Sequence, residues 1–110
     1  MLPRIKSVIQ VQAIIRRAEL SGGHAFLVRR GSEDAGALFL KLSRLNGTFT
    51  VLNQARRGGG ELVWTTPLGN SADEATVNTW LEKQIRFDPD LWILEIEDRE
   101  GRAFVDEPIV

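Results

Sequence analysis

Two runs of alternating character, GALFLKLSRL and TFTVLN, meet across Asn46-Gly47, and this junction constrains the fold more than any other stretch. Asparagine and glycine both tolerate positive φ, the geometry that closes a tight hairpin. Alternation with period two sends successive side chains to opposite faces of a strand. Leu38, Leu40 and Leu42 then face one way, and Phe39, Lys41 and Ser43 the other. HAFLVRRG alternates in the same manner, with Phe26 and Val28 opposed to Leu27 and Arg29. Beyond the turn, Phe49 and Val51 are expected inward. RRGGGE makes a further turn, and ELVWTT places Leu62 and Trp64 on the core side.

The flanking segments have a helical period. Ile5, Val8, Val11, Ile15 and Ala18 recur at three- and four-residue spacings, and SGG at 21–23 ends that helix because glycine accepts a left-handed conformation. Ser71 followed by Glu74 has the spacing of a capping box. From there Val77, Trp80, Leu81, Gln84 and Ile85 line one helical face as far as about Arg86, and Asp88-Pro89 stops it. LWILEIE is a last strand, expected to pair with the first because that edge is otherwise unpaired. The order α-β-β-β-β-α-β predicts a single α+β domain over 1–110. Its expected form is two-layer: a mostly antiparallel four- to five-stranded sheet with two helices on one face.

Composition narrows the chemistry. The chain has no cysteine and one histidine, His24, so disulfides, thiolate catalysis and most zinc sites are excluded. No cofactor motif is present: RRGGGE lacks the lysine and Ser/Thr of a phosphate-binding loop. A lone histidine just past a helix end reads as a local structural residue. The basic, apolar start MLPRIKSVIQVQAIIRR is interrupted by Gln10 and Gln12 and has no cleavage site. It therefore does not read as a leader, and no run approaches a membrane span. A cytoplasmic protein is the expectation. Net charge is −1, against a nonspecific nucleic-acid binder. It is unevenly spread, since residues 1–57 hold ten Lys/Arg against three Asp/Glu and residues 58–110 four against twelve. Folding is expected to interleave the two halves, and the Arg16-Arg17, Arg29-Arg30 and Arg56-Arg57 pairs read as solvated faces or partners of the acidic half.

The stretch RFDPDLWILEIEDR poses the sharpest chemical question. Glu95 and Glu97 point the same way, about 7 Å apart along a strand. With Asp98 or Asp88 they can supply oxygen ligands to Mg²⁺ or Mn²⁺, as a metal-dependent hydrolase or nuclease requires, with Arg29 or Lys41 on a phosphoryl group. Restriction-endonuclease-type enzymes carry a lysine two residues after the strand acid, and here that position is Glu97. The favoured reading pairs Glu95 and Glu97 with Arg29 or Lys41 across strands, at about 0.2–1 kcal/mol each. Asp88 and Asp90 flank Pro89 and read as turn residues.

The outer face of the expected sheet carries Leu27, Phe39, Leu52, Val63 and Ile93 among Arg29 and Lys41. A half-apolar face suggests a protein partner, a second subunit or a ligand groove. The leading expectation is a non-enzymatic binding module that docks a partner or a second copy through that face. Binding candidates are Arg29, Arg30, Phe39, Lys41, Asp88, Asp90, Trp92 and Arg99, and Glu95, Glu97 and Asp98 are the metal alternative. Nucleic-acid binding, with Phe39 as the stacking residue, is a further alternative.

VRRGSEDAGALFLKLSRLNG and, above all, RFDPDLWILEIEDREGR resemble an uncharacterised family of short bacterial proteins, domain of unknown function 1491. The resemblance runs from the VQAIIRR helix to the acidic tail. It implies a small, stand-alone, cytoplasmic bacterial protein, and no catalytic residue carries over from it. The positions it marks are Arg29, Arg30, Gly31, Lys41, Asp88, Pro89, Asp90, Trp92, Glu95, Glu97, Asp98 and Arg99.

Overall fold

Two strands, LFLKLS and WILEIE, are apolar on both faces, and such strands need cover above and below. The computed structural model, which describes residues 5–110, puts them side by side in the middle of the sheet. The residues 1–4 that lead the chain lie outside the described part. In chain order the elements are α1 (Ser7–Leu20), β1 (His24–Arg29), β2 (Leu38–Ser43), β3 (Phe49–Arg57), β4 (Glu61–Thr65), α2 (Glu74–Phe87) and β5 (Trp92–Glu97). This is the expected α+β order.

The sheet runs β1-β5-β2-β3-β4. The expected pairing of the last strand with the first is present and antiparallel, with Phe26 opposite Glu95. Yet β5 also lies parallel to β2, with Leu40 beside Leu94. The first four strands are therefore not a continuous meander, because β5 is wedged between β1 and β2.

The helices cover opposite faces, which corrects the two-layer expectation. Val11 and Ile14 of α1 pack on Leu40, Leu52, Trp64, Leu94 and Ile96. Val77 and Leu81 of α2 pack on Phe39, Val51 and Ile93. Register explains the error. Leu40 pairs with Leu52 and Lys41 with Val51, while Gln54 pairs with Trp64. Trp64 therefore shares a face with Leu40 and Leu52, and Val51 belongs to the other face. A one-residue misreading of a strand flips every side chain in it. The outer face with its apolar residues is thus mostly interior: Phe39, Leu52, Val63 and Ile93 are buried. Each such side chain contributes about 1.5–3 kcal/mol by leaving water.

Local signals account for the element ends. Gly22, at φ +86°, closes α1 in the left-handed region. The hairpin loop after β2 is wider than a two-residue turn, and its left-handed residues are Leu45 and Gly47. The cap of α2 is Asp73 rather than Ser71, its Oδ1 accepting from the Thr76 N–H at 2.7 Å. That backbone bond holds the Asp73 carboxyl below its ordinary range. On α1 the buried stripe is Ser7, Val11, Ile14 and Ala18, which leaves Ile5 exposed instead of in the core.

Candidate functional site

The Phe87–Trp92 block holds the fold together. Asp88 Oδ1 accepts from the Asp90 N–H at 3.0 Å, turning the chain out of α2. Arg29 donates to the Pro89 carbonyl at 2.7 Å, and the Ser32 N–H to the Asp90 carbonyl at 2.9 Å. The Trp92 indole N–H donates to the Ser32 carbonyl at 2.7 Å, and the Arg30 guanidinium lies 5.3 Å from the Trp92 ring centroid. Gly31 and Gly36 pass so close to this turn that a Cβ on either would collide with the Asp90 carbonyl oxygen and the Trp92 ring. The same loop caps α1: Ser7 Oγ donates to the Gly36 carbonyl at 2.7 Å, and the Val8 N–H to the Glu33 carbonyl at 3.1 Å. Arg29, Arg30, Asp88, Asp90 and Trp92 are therefore brought together, as a clamp around the 30–37 loop.

The acidic strand divides its carboxylates between separate partners. Lys41, buried between sheet and α2, lies 3.5 Å from Glu95 and 2.8 Å from Glu74, donates to Asn78 at 3.0 Å and sits 5.1 Å from the Phe49 ring centroid. The expected Lys41–Glu95 pair is present. Glu74 and Asn78 were not foreseen, because nothing in the sequence shows where α2 crosses β2. Glu97 is opposite His24 in the β1–β5 register.

Asp98 is buried and turned away from Glu95. It accepts from the Arg102 backbone N–H at 2.7 Å, from Nε at 3.0 Å and from Nη2 at 2.9 Å. Donation from the Arg102 side chain holds the Asp98 carboxyl below its ordinary range, against the opposing effect of burial. Glu95, Glu97 and Asp98 thus do not converge, and among the described residues no three His, Cys, Asp or Glu side chains gather as a metal site. Arg99 is exposed beside this turn and belongs to neither network. Phe39 packs edge-to-face on Trp80, with centroids 5.6 Å apart. Phe39 and Lys41 lie beneath α2, where a partner meeting the sheet face does not reach them.

What remains accessible lies at the sheet's margins. Among the described residues β1 has a strand neighbour on one side only. Three successive apolar residues there are exposed: Phe26 at 45%, Leu27 at 41% and Val28 at 53%. A bulge at Val28, where the register skips from Leu27 to Arg29, leaves His24–Leu27 as the regular part of this edge. Phe87, also exposed, precedes the Pro89 that Arg29 holds.

The opposite edge, β4, is closed by the chain's own 108–110 segment. The Trp64 N–H donates to the Pro108 carbonyl and the Val110 N–H to the Trp64 carbonyl, both at 2.9 Å, in a parallel bridge centred on Ile109. Beside it, a groove of about 630 Å³ runs between α1 and the β3–β4 hairpin. Ile9, Ala13 and Leu62 line it, with Arg56, Glu61 and Glu107 supplying charges of both signs. No helix among the described residues is long and apolar enough to cross a membrane.

Comparison with known proteins gives one consistent result. A family model described as "Protein of unknown function (DUF1491)" matches residues 5–106. A crystal structure of a DUF1491 family protein from Caulobacter crescentus CB15 is 42% identical, with TM-score 0.90, over 97% of this chain and 100% of that one. An NMR structure of a DUF1491 family protein from the same organism is 41% identical, with TM-score 0.85, over 96% of each chain. Protein Atu0922 from A. tumefaciens, a solution structure, is 31% identical with TM-score 0.80, over 98% of this chain and 100% of that one. No curated protein matches.

Proposed function

The chain belongs to the DUF1491 family, and we propose that it is a non-enzymatic protein-interaction module docking an extended segment of a partner protein onto β1. The observation that carries this reading is the open β1 edge with Phe26, Leu27 and Val28 exposed. An unpaired edge presents a row of backbone donors and acceptors, and natural sheets shield such edges with charge, proline or cover. Among the described residues no strand pairs with this edge, and beside its one bulge the side chains of Phe26 and Leu27 are apolar. Strand addition supplies the lost backbone bonds, and Phe26 and Leu27 on opposite faces supply apolar contact to alternate residues of the incoming strand. The fold accepts short extended segments at an edge, as residues 108–110 do on β4. The polar clusters favour the same reading, since Lys41, Glu95 and Asp98 are committed to internal partners.

The test is a selection of linear peptides by display against the wild-type chain, counter-selected with the F26D/V28D variant. Enrichment of sequences rich in β-branched residues, whose binding shifts the Ala25–Val28 amide resonances, is the expected result. Peptides that bind both proteins equally, or that shift resonances only elsewhere, contradict it.

A further inference from the structure

The β4 edge holds an occupant whose recognition can be read bond by bond. Arg17 of α1 donates to the Phe104 carbonyl at 3.0 Å and to Asp106 Oδ2 at 2.9 Å. The Trp64 indole N–H donates to Glu107 Oε1 at 3.0 Å. The Trp64 backbone then takes the Pro108 carbonyl and the Val110 N–H. Proline suits its position, because that residue supplies only a carbonyl. The acceptor side is thus one cation, one indole donor and one exposed strand edge. Its ligand is a short segment, bent at Asp106–Glu107 and bridged to the sheet at Ile109, with two acids, a proline and two β-branched residues.

Beyond its bonds to Trp64 the hold on this segment is light. Ile109 and Val110 are 52% and 56% exposed, so each is only about half buried. The Arg17 and Asp106 side chains are 39% and 72% exposed, the setting in which ion pairs are weakest. At the segment's root Phe104 sits at φ +56°, a left-handed conformation that is strained for a bulky side chain. A lightly held segment that follows a strained residue is suited to exchange between copies, since a second copy offers the identical ligand.

We propose that Arg17, the Trp64 indole and the β4 edge form a binding site for the Asp106–Val110 segment of a second copy of this chain, which its own segment fills in the monomer. Reciprocal exchange repeats the Arg17–Asp106, Trp64–Glu107, Trp64–Pro108 and Val110–Trp64 bonds between two chains, while Phe104 stays with its own.

A charge swap tests this. R17E alone and D106R alone each oppose like charges within one chain. In a mixture of the two, exchange brings the new acid at position 17 of the first variant to the new base at position 106 of the second. The same exchange sets the second variant's Arg17 against the first variant's Asp106, so both contacts become attractive only between chains. Sedimentation of the mixture is expected to show twice the 12.3 kDa chain mass, with each variant alone, and the R17E/D106R double variant, staying at the single mass. A mixture that stays monomeric while both variants keep native amide dispersion overturns the proposal. Should either variant unfold, the acetylated peptide Val-Asp-Glu-Pro-Ile-Val is titrated into the wild-type chain instead. A saturable shift of the Trp64 indole resonance supports the site, and no shift at millimolar peptide overturns it.

Discussion

Replacing Asp98 with asparagine removes a charge and keeps the shape. In the native chain the carboxylate is buried and accepts three bonds from Arg102, two of them from the guanidinium. Hydrogen bonds to charged groups are worth about 1.5–3 kcal/mol net. Arg102 is 44% exposed and regains water when the bonds weaken, so the loss belongs near the lower end, about 2 kcal/mol. For a domain of this size that lowers Tm by about 8 °C. The effect also has a direction in pH. The folded carboxyl titrates below its unfolded value. Its contribution is therefore fully present above the unfolded pKa, near the ordinary carboxylate value, and is lost as pH falls through the lower folded pKa. Urea unfolding followed by tryptophan fluorescence, at neutral pH and again at a pH below the carboxylate range, checks both parts. The gap between wild type and D98N should be wide at neutral pH and narrow in acid. A D98N chain as stable as wild type at neutral pH, or a gap that persists unchanged in acid, refutes the reasoning.

Further outcomes follow from the packing. G36A drives a Cβ into the Asp90 carbonyl and the Trp92 ring and should lower stability in denaturant by about 3 kcal/mol. K41M leaves Glu95 without its cation and should cost about 2–4 kcal/mol, much of it recovered in K41M/E95L, which a double-mutant cycle reads directly. D73A should lower the midpoint of a thermal melt by a few degrees through loss of the cap, while S71A leaves it almost unchanged. F39D should fail to fold and F26D should fold, as judged by circular dichroism, because the first lies under α2 and the second on the open edge.

The element order was legible because period and punctuation agree. Apolar spacing marked α1 and α2, glycines and Asp88-Pro89 marked their ends, and alternation marked the strands. The layer structure was not, for a reason visible in LFLKLS and WILEIE. Alternation inside a run that is apolar at nearly every position does not say which face is wet, and the runs Leu38–Leu40 and Trp92–Leu94 were the available sign that neither is. The parity of β3 was misread because the loop from Arg44 to Thr48 is longer than its Asn-Gly pair implies. The same limit shaped the site. The Lys41–Glu95 pair was named from charge and alternation, but the β2–β5 adjacency that makes it, like Glu74, Asn78 and the docking of 108–110 on Trp64, depends on tertiary placement that no local pattern encodes. Family resemblance drew attention to the residues around Asp88–Trp92, and their contacts explain them as packing of the 30–37 loop on Trp92.

Strand addition at β1 is read by amide hydrogen exchange across that strand. Exchange is measured in the free chain and with a peptide chosen by the display selection bound. Outward-facing amides within Ala25–Val28 should exchange markedly more slowly in the complex, with the core of β2 and β5 unchanged. Protection that emerges instead along α1 or the β3–β4 hairpin, with β1 exchanging as fast as before, contradicts it.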